Sequence, residues 1–175
     1  MVRGTTQESL SGLPTAFGPE SFVTAGNASG VVDGAAAVVI KSATQAEADG
    51  DAPLARIVSW GIVGLEPAIM AYGPVPASNQ ALERAGLTVD DIDRWEINEA
   101  FAAQYLSCEK ELGLDRDKTN VNGGAIALGH PTGASGARII SHLVHQMQAN
   151  SDLKHTIGSA CIGGGQGIAL LLERV

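Results

Sequence analysis

Three side chains in this sequence have the type and setting for chemistry. Asn98 follows a short run in which Trp95 and Ile97 alternate with charged residues. His130 sits between Gly129 and Pro131, and Cys161 directly precedes Ile162-Gly163-Gly164-Gly165. An imidazole brought beside a thiol forms a pair suited to nucleophilic or acid–base work. The backbone N–H groups after Cys161 could form an oxyanion hole, because glycines let a substrate approach the main chain. Pro131 cannot continue a helix and biases His130 towards extended backbone, so the imidazole is expected on a tight loop. All three fall at predicted ends of elements, where ligand sites of α/β sheets form. A plainer role stands beside each: a lone loop histidine or a packing thiol.

Other residues of similar type do not fit a chemical pattern. Cys108 lies inside an apolar helical stripe and reads as structural. His142 and His145 are three apart on a predicted helix without the metalloprotease pattern, so we assign them to packing or surface and expect no metal site. GAIALGHP carries His where a phosphate-binding loop needs Lys, and GGGQGI lacks the third glycine of a dinucleotide motif.

The elements that must hold these groups follow from periodicity and punctuation. Residues 1–21 read as loop and Phe22–Thr24 as a short strand. Ala35–Ile40 is an apolar run expected to be buried, and Gln45–Asp49 a short helix capped by Thr44 and stopped at Gly50. Leu54–Val63 reads as a strand, Gly64–Pro76 as a loop, and Ala77–Ala85 as a helix ended by Gly86. Phe101, Tyr105, Cys108 and Leu112 mark one face of a helix that stops at Gly113. After the glycine-dense stretch 120–138, Ile139, Ile140, Leu143, Val144 and Met147 mark a second amphipathic helix. His155–Cys161 and Gln166–Leu172 read as adjacent strands, and the second is apolar enough to be central in its sheet. The alternation predicts an α/β layered fold with a mixed, five-stranded sheet. A boundary at Asp49–Pro53 divides the chain into a segment 1–52 and a domain 53–175.

Bulk properties agree with a globular protein: 175 residues, 45% hydrophobic and 17% charged. Nineteen acids against eleven bases give a formal charge of −8, which argues against nucleic acid as a partner. Two cysteines make no disulfide framework, the stretch MVRGTTQESLSG lacks the apolar core expected of a secretory signal, and no apolar run is long enough to span a membrane. The expected location is therefore intracellular.

Four blocks, TAGNASGVVDGAAAVV, NEAFAAQ, NVNGGAIALGHPTGASGARI and CIGGGQGIA, resemble those of the thiolase family in order and spacing. The resemblance runs from about Phe22 to the end and is most similar to the mitochondrial-type 3-ketoacyl-CoA thiolases and their bacterial relatives. It implies a thiolase-type fold and acyl transfer on CoA thioesters: thiolysis of a 3-ketoacyl-CoA, or the reverse Claisen condensation of acetyl-CoA. CoA and acyl-CoA would be substrates, with no permanently bound cofactor. It implies that His130 activates a nucleophilic cysteine and donates to the thioester oxygen, and that Asn98 holds a water in the same oxyanion hole. Cys161 would be the acid/base thiol, and the N–H of Gly163 part of a second hole. Ser29 would touch the pantetheine arm of CoA, with Ala28, Phe101 and Met70 lining the tunnel.

The family's nucleophilic cysteine lies in an N-terminal half, and no block here matches it. The resemblance thus implies a C-terminal thiolase half at 53–175, preceded by the last segment of the N-terminal half. Its partner would be that N-terminal half, within a homo-oligomer, in bacterial cytoplasm or mitochondrial matrix. The isolated chain is expected to be inactive. The alternative is a non-catalytic thiolase-fold module that binds CoA or lipid; retention of Asn98, His130 and Cys161 together argues against it.

Overall fold

The computed structural model describes residues 4–175. Its centre is a four-stranded sheet built from β1 (Arg56–Gly64), β2 (Arg94–Ile97), β3 (His155–Ile162) and β4 (Gln166–Glu173), in the order β1-β4-β3-β2. β1 and β3 run antiparallel to β4, whereas β2 runs parallel to β3. The sheet is mixed, as expected, and the apolar β4 is internal to it. Among the described residues the sheet has four strands rather than five. Thr119, just before the glycine-dense stretch, makes a single bridge to Trp95 and no ladder. Asn120 and Gly123 both take positive φ just beyond it, which ends any extended run.

Before the sheet come α1 (Gln7–Ser11) and α2 (Ala43–Asp49); within the sheet-forming region come α3 (Pro74–Ala85), α4 (Ala102–Leu112), α5 (Ala125–Leu128) and α6 (Ser135–Ala149). Helices α3 and α4 cover one face of the sheet. There Val75, Leu82, Cys108 and Leu112 pack with Trp95, Ile97, Ile157 and Leu171. Helix α6 covers part of the other face through Ile139, Leu143 and Met147, with Leu153 and Leu172. The alternation within β2 follows: Trp95 and Ile97 point to α3 and α4, and Glu96 points to α6. Close backbone approach sets the α3 layer. A Cβ on Gly61 would lie 1.9 Å from the carbonyl oxygen of Ala77, so only glycine lets that helix sit so near β1.

Several expectations need correction. Helix α3 begins at Pro74, because prolines in a first turn forfeit only N–H groups that have no intrahelical partner anyway. The loop before it contains a 3-10 helix, Pro67–Tyr72, that carries Met70. Helix α2 is capped by Ser42, whose hydroxyl accepts from Gln45 N–H, and it starts before Thr44. Phe22–Thr24 is not a strand; Thr24 makes one bridge, to Thr15. Ala35–Ile40 is not buried. It forms no strand, and Val39 is 90% exposed, because no neighbouring strand among the described residues pairs with it.

Candidate active site

The sheet brings Asn98 and Cys161 to the same end. Ile97 pairs with Ser159 in the parallel β2–β3 ladder, and the Asn98 N–H donates to Ser159 C=O at 2.8 Å, two residues before Cys161. Cys161 then pairs with Gly167 across β4, and the chain reverses through Gly163, Gly164 and Gly165. Gly164 and Gly165 take positive φ, whereas Gly163 is exposed, with open space where a Cβ would stand. The main chain at Gly163 is therefore open on its Cβ side. Gly165 packs against Leu65 and Pro67, which sets this turn beside the 3-10 helix carrying Met70.

His130 reaches the same place by another route. Its N–H donates to Gly30 C=O at 2.8 Å, and Val31 bridges to it in parallel fashion. Its imidazole Nε2 lies 3.5 Å from Asn98 Nδ2, and its Nδ1 lies 2.6 Å from Ser135 Oγ at the start of α6. The 27–31 segment also ties to the N-terminus of α4. Ala28 bridges to Phe101, and both the N–H and the hydroxyl of Ser29 donate to Ala100 C=O, at 3.0 and 3.1 Å. Met70 is the outlier of the set. It is half-buried one residue before Ala71, whose carbonyl accepts from Cys108 Sγ at 3.5 Å, so it joins the others through α4.

The protonation states follow from burial. Asn98 is 1% exposed, and its Oδ1 has no hydrogen-bond partner among the described residues. A buried, unpaired amide oxygen is costly unless a water or ligand fills the position it faces. Burial, then the nearby Arg138 guanidinium, lowers the His130 pKa, which keeps the ring neutral and able to accept a proton. Burial raises the Cys161 pKa, so at neutral pH it is a thiol with a proton to give. Cys108 is pushed up to about 11, mainly by burial, and is an inert packing thiol.

Three supporting residues were not picked out by sequence. Ser135 holds the back of the His130 ring. The Asn120 side chain clamps the end of β2, accepting from Ile97 N–H at 2.9 Å and donating to Ile97 C=O at 2.9 Å. The Glu99 carboxylate accepts from Asn120 Nδ2 at 3.0 Å and from Ile126 N–H at 3.1 Å, joining the end of β2 to the loop that leads to His130. Gly124 makes room for that carboxylate, since a Cβ there would come within 2.2 Å of it. Asparagine tolerates left-handed backbone better than most side chains, and Asn120 adopts it, at φ 47°. Nothing in the spacing pairs it with Glu99. Among the described residues no cluster of three His, Cys, Asp or Glu side chains could hold a metal. His142 is half-buried against Glu96, and His145 is exposed.

The ends of β2 and β3 lie side by side, and the Gly-His-Pro loop brings His130 to within 3.5 Å of Asn98 at the first of them. The thiolase C-terminal domain model matches residues 51–174 and the thiolase N-terminal domain model residues 1–44, and the chain belongs to the thiolase family. Among proteins, it is 56% identical over 169 residues to the mitochondrial 3-ketoacyl-CoA thiolase of Homo sapiens, covering 97% of this chain and 42% of that one. It is 57% identical over 170 residues to the acetyl-CoA acetyltransferase of Escherichia coli strain K12, covering 97% and 43%. Among solved structures, human mitochondrial 3-ketoacyl-CoA thiolase in complex with CoA superposes with a TM-score of 0.89 at 49% identity, covering 98% and 43%. The Bacillus anthracis acetyl-CoA acetyltransferase superposes with a TM-score of 0.93 at 50% identity, covering 97% and 43%. The chain thus spans less than half the length of the curated relatives it matches.

Proposed function

We propose that this chain supplies the histidine, asparagine and acid/base-cysteine part of a thiolase site that transfers acyl groups between CoA thioesters. The carrying observation is the pairing of Asn98 with His130 at 3.5 Å, beside the strand end that bears Cys161. Forming or cleaving a carbon–carbon bond beside a thioester requires an enolate to be stabilised and a proton to be moved. Once its Nε2 has taken the proton of the nucleophilic thiol, His130 donates from that nitrogen and, with a water held on the unpaired Asn98 Oδ1, forms one oxyanion hole; the Gly163 N–H contributes to a second. A single donor of this kind is typically worth about 3–4 kcal/mol of barrier. Cys161, as a protonated thiol, protonates the leaving carbanion in thiolysis, or as thiolate removes the α-proton in condensation. Ser29, Ala28, Phe101 and Met70 line the approach of the CoA arm, and CoA enters as substrate rather than as a resident cofactor.

The nucleophile that carries the acyl group is not among these residues. The chain has two cysteines; Cys161 is the acid/base group and Cys108 is buried with its pKa raised. We therefore assign the nucleophile to an N-terminal thiolase half that completes the site, with 1–52 as its trailing segment and 53–175 as the C-terminal domain. A homo-oligomer in bacterial cytoplasm or mitochondrial matrix is the expected setting. No helix among the described residues is long and apolar enough to cross a membrane.

Thiolysis of acetoacetyl-CoA tests this. The purified 175-residue chain should show no turnover. Joined to an N-terminal half bearing the reactive cysteine, it should turn over, and His130→Ala or Cys161→Ala should abolish that. Thiolase-rate turnover by the chain alone would refute the division of labour. Acyl-CoA binding without turnover in the completed protein would favour the binding-module alternative.

A further inference from the structure

His130 has one ring nitrogen on each side of a chain of hydrogen bonds, and that chain has a direction. On one side, Nδ1 is 2.6 Å from Ser135 Oγ, and the Ser135 hydroxyl lies 3.1 Å from Pro131 C=O, to which it donates. A hydroxyl has one proton. With that hydrogen directed at the Pro131 carbonyl oxygen, Ser135 Oγ can only accept from the ring. On the other side, Nε2 faces the Asn98 amide nitrogen at 3.5 Å, and an amide nitrogen only donates. Both neighbours therefore ask for the same tautomer: a proton on Nδ1 and a bare lone pair on Nε2. The reverse arrangement takes the Ser135 proton off the Pro131 carbonyl and needs the Asn98 amide turned over.

Local backbone holds Ser135 in place. Pro131 C=O also accepts from Ala134 N–H and Ser135 N–H, both at 2.8 Å, so the turn after the Gly-His-Pro segment folds back into the first residue of α6. Ser135 is buried there, with no bulk water to compete for its hydroxyl. An imidazole in water favours the proton on Nε2, so the nitrogen facing the substrate would otherwise be the wrong one for a base.

We propose that Ser135 is a positioning residue that fixes His130 as the Nδ1–H tautomer and so keeps the Nε2 lone pair aimed at the Asn98 end of the site. The mechanistic use rests on His130 acting as the base in acyl transfer, whereas the tautomer itself does not. Two-bond 15N–1H correlation spectra of the uniformly 15N-labelled chain read it directly, with the His130 ring identified by its loss in His130→Asn. Above the pKa of the ring, the wild type should show a pyrrole-type Nδ1 and a pyridine-type Nε2. Ser135→Ala should move the population towards Nε2–H, and Ser135→Thr, which keeps the hydroxyl, should restore Nδ1–H. A wild-type ring protonated on Nε2 would overturn the proposal before any variant is made, as would a Ser135→Ala ring unchanged from wild type. Loss of acyl transfer in the completed enzyme with the Nδ1–H ring intact would instead count against the base role and leave the Ser135 assignment standing.

Discussion

Glu96 is the residue that most clearly ties fold to pH. It is 1% exposed on the α6 face of β2, and burial pushes its carboxyl from an ordinary value of 4.5 up to about 7. The Arg138 guanidinium, at 3.4 Å, opposes that shift without cancelling it, and Glu99 adds to it. His142, also at 3.4 Å, is kept neutral by burial and by Arg138, so it acts as a polar neighbour and not as an ion-pair partner. The folded state therefore holds the Glu96 proton more tightly than the unfolded chain. Stability from this group is fully present below pH 4.5 and is lost as pH rises to about 7, a change of roughly 3 kcal/mol. Glu96→Gln should remove that dependence. In urea titrations the variant should gain roughly 3 kcal/mol on wild type between about pH 4 and about pH 8, and parallel pH profiles would show the carboxyl is not strained. The charge at Glu96 was readable from alternation with Trp95 and Ile97, but its burial was not. A two-residue period places it on the face opposite the main core, and only the arrival of α6 closes that face. His130 and Asn98 were legible because glycine, proline and a strand end punctuate the sequence around them. Ser135 and Glu99 were not, because their partners are set by a turn and by tertiary contact.

Among the elements, β1 shows how an edge strand is managed. It pairs only with β4, and its outer side is closed by side chains of α3. Gln80 Oε1 accepts from Ile62 N–H at 2.9 Å, and Arg84 donates to Trp60 C=O at 2.5 Å. Satisfying edge groups in this way removes the template for another strand. Gln80→Ala should expose the Ile62 amide. Loss of about 1 kcal/mol of local protection corresponds to roughly fivefold faster hydrogen exchange at Ile62, with the β3–β4 amides unchanged. Equal exchange in both proteins would mean the side chain does not guard the edge. Helix α3 can reach that edge because Gly61 lets it settle close. Gly61→Ala should thus cost roughly 3 kcal/mol by urea titration, while Gly163→Ala, with nothing near the new methyl, should stay within about 0.5 kcal/mol. If both variants melt alike, the close approach is not what fixes the layer. Helix ends at Gly50, Gly86 and Gly113 were all legible, since each adopts the left-handed φ that glycine supplies. Helix starts were less so, since Pro74 reads equally as loop.

For the whole molecule, the uncovered surface is what the sequence could not locate. Helix α6 shields only part of its face of the sheet. Beside it Trp60 and Ile62 of β1, with Ile168 of β4, remain substantially exposed on the same face. Val38, Val39 and Ile40 add an extended apolar segment with no strand beside it among the described residues. Their sequences read as buried because they are composed like buried strands, and what they lack here is a covering layer. Apolar surface exposed along a sheet face in this way is rare on a stable monomer and marks a place of association. The N-terminal thiolase model matches only residues 1–44, and the curated relatives are more than twice as long, which supports the rest of an N-terminal half as the cover. Alone, the chain should bind anilinonaphthalene sulfonate strongly and self-associate as concentration rises in size-exclusion chromatography with light scattering. Joining it to an N-terminal half should quench the dye signal and give one defined species. Substituting Trp60→Lys and Ile62→Lys should reduce dye binding by the isolated chain and weaken assembly with that half. A monodisperse, dye-silent monomer would mean that these side chains need no cover, and the case for a second half built over this face would fall with it.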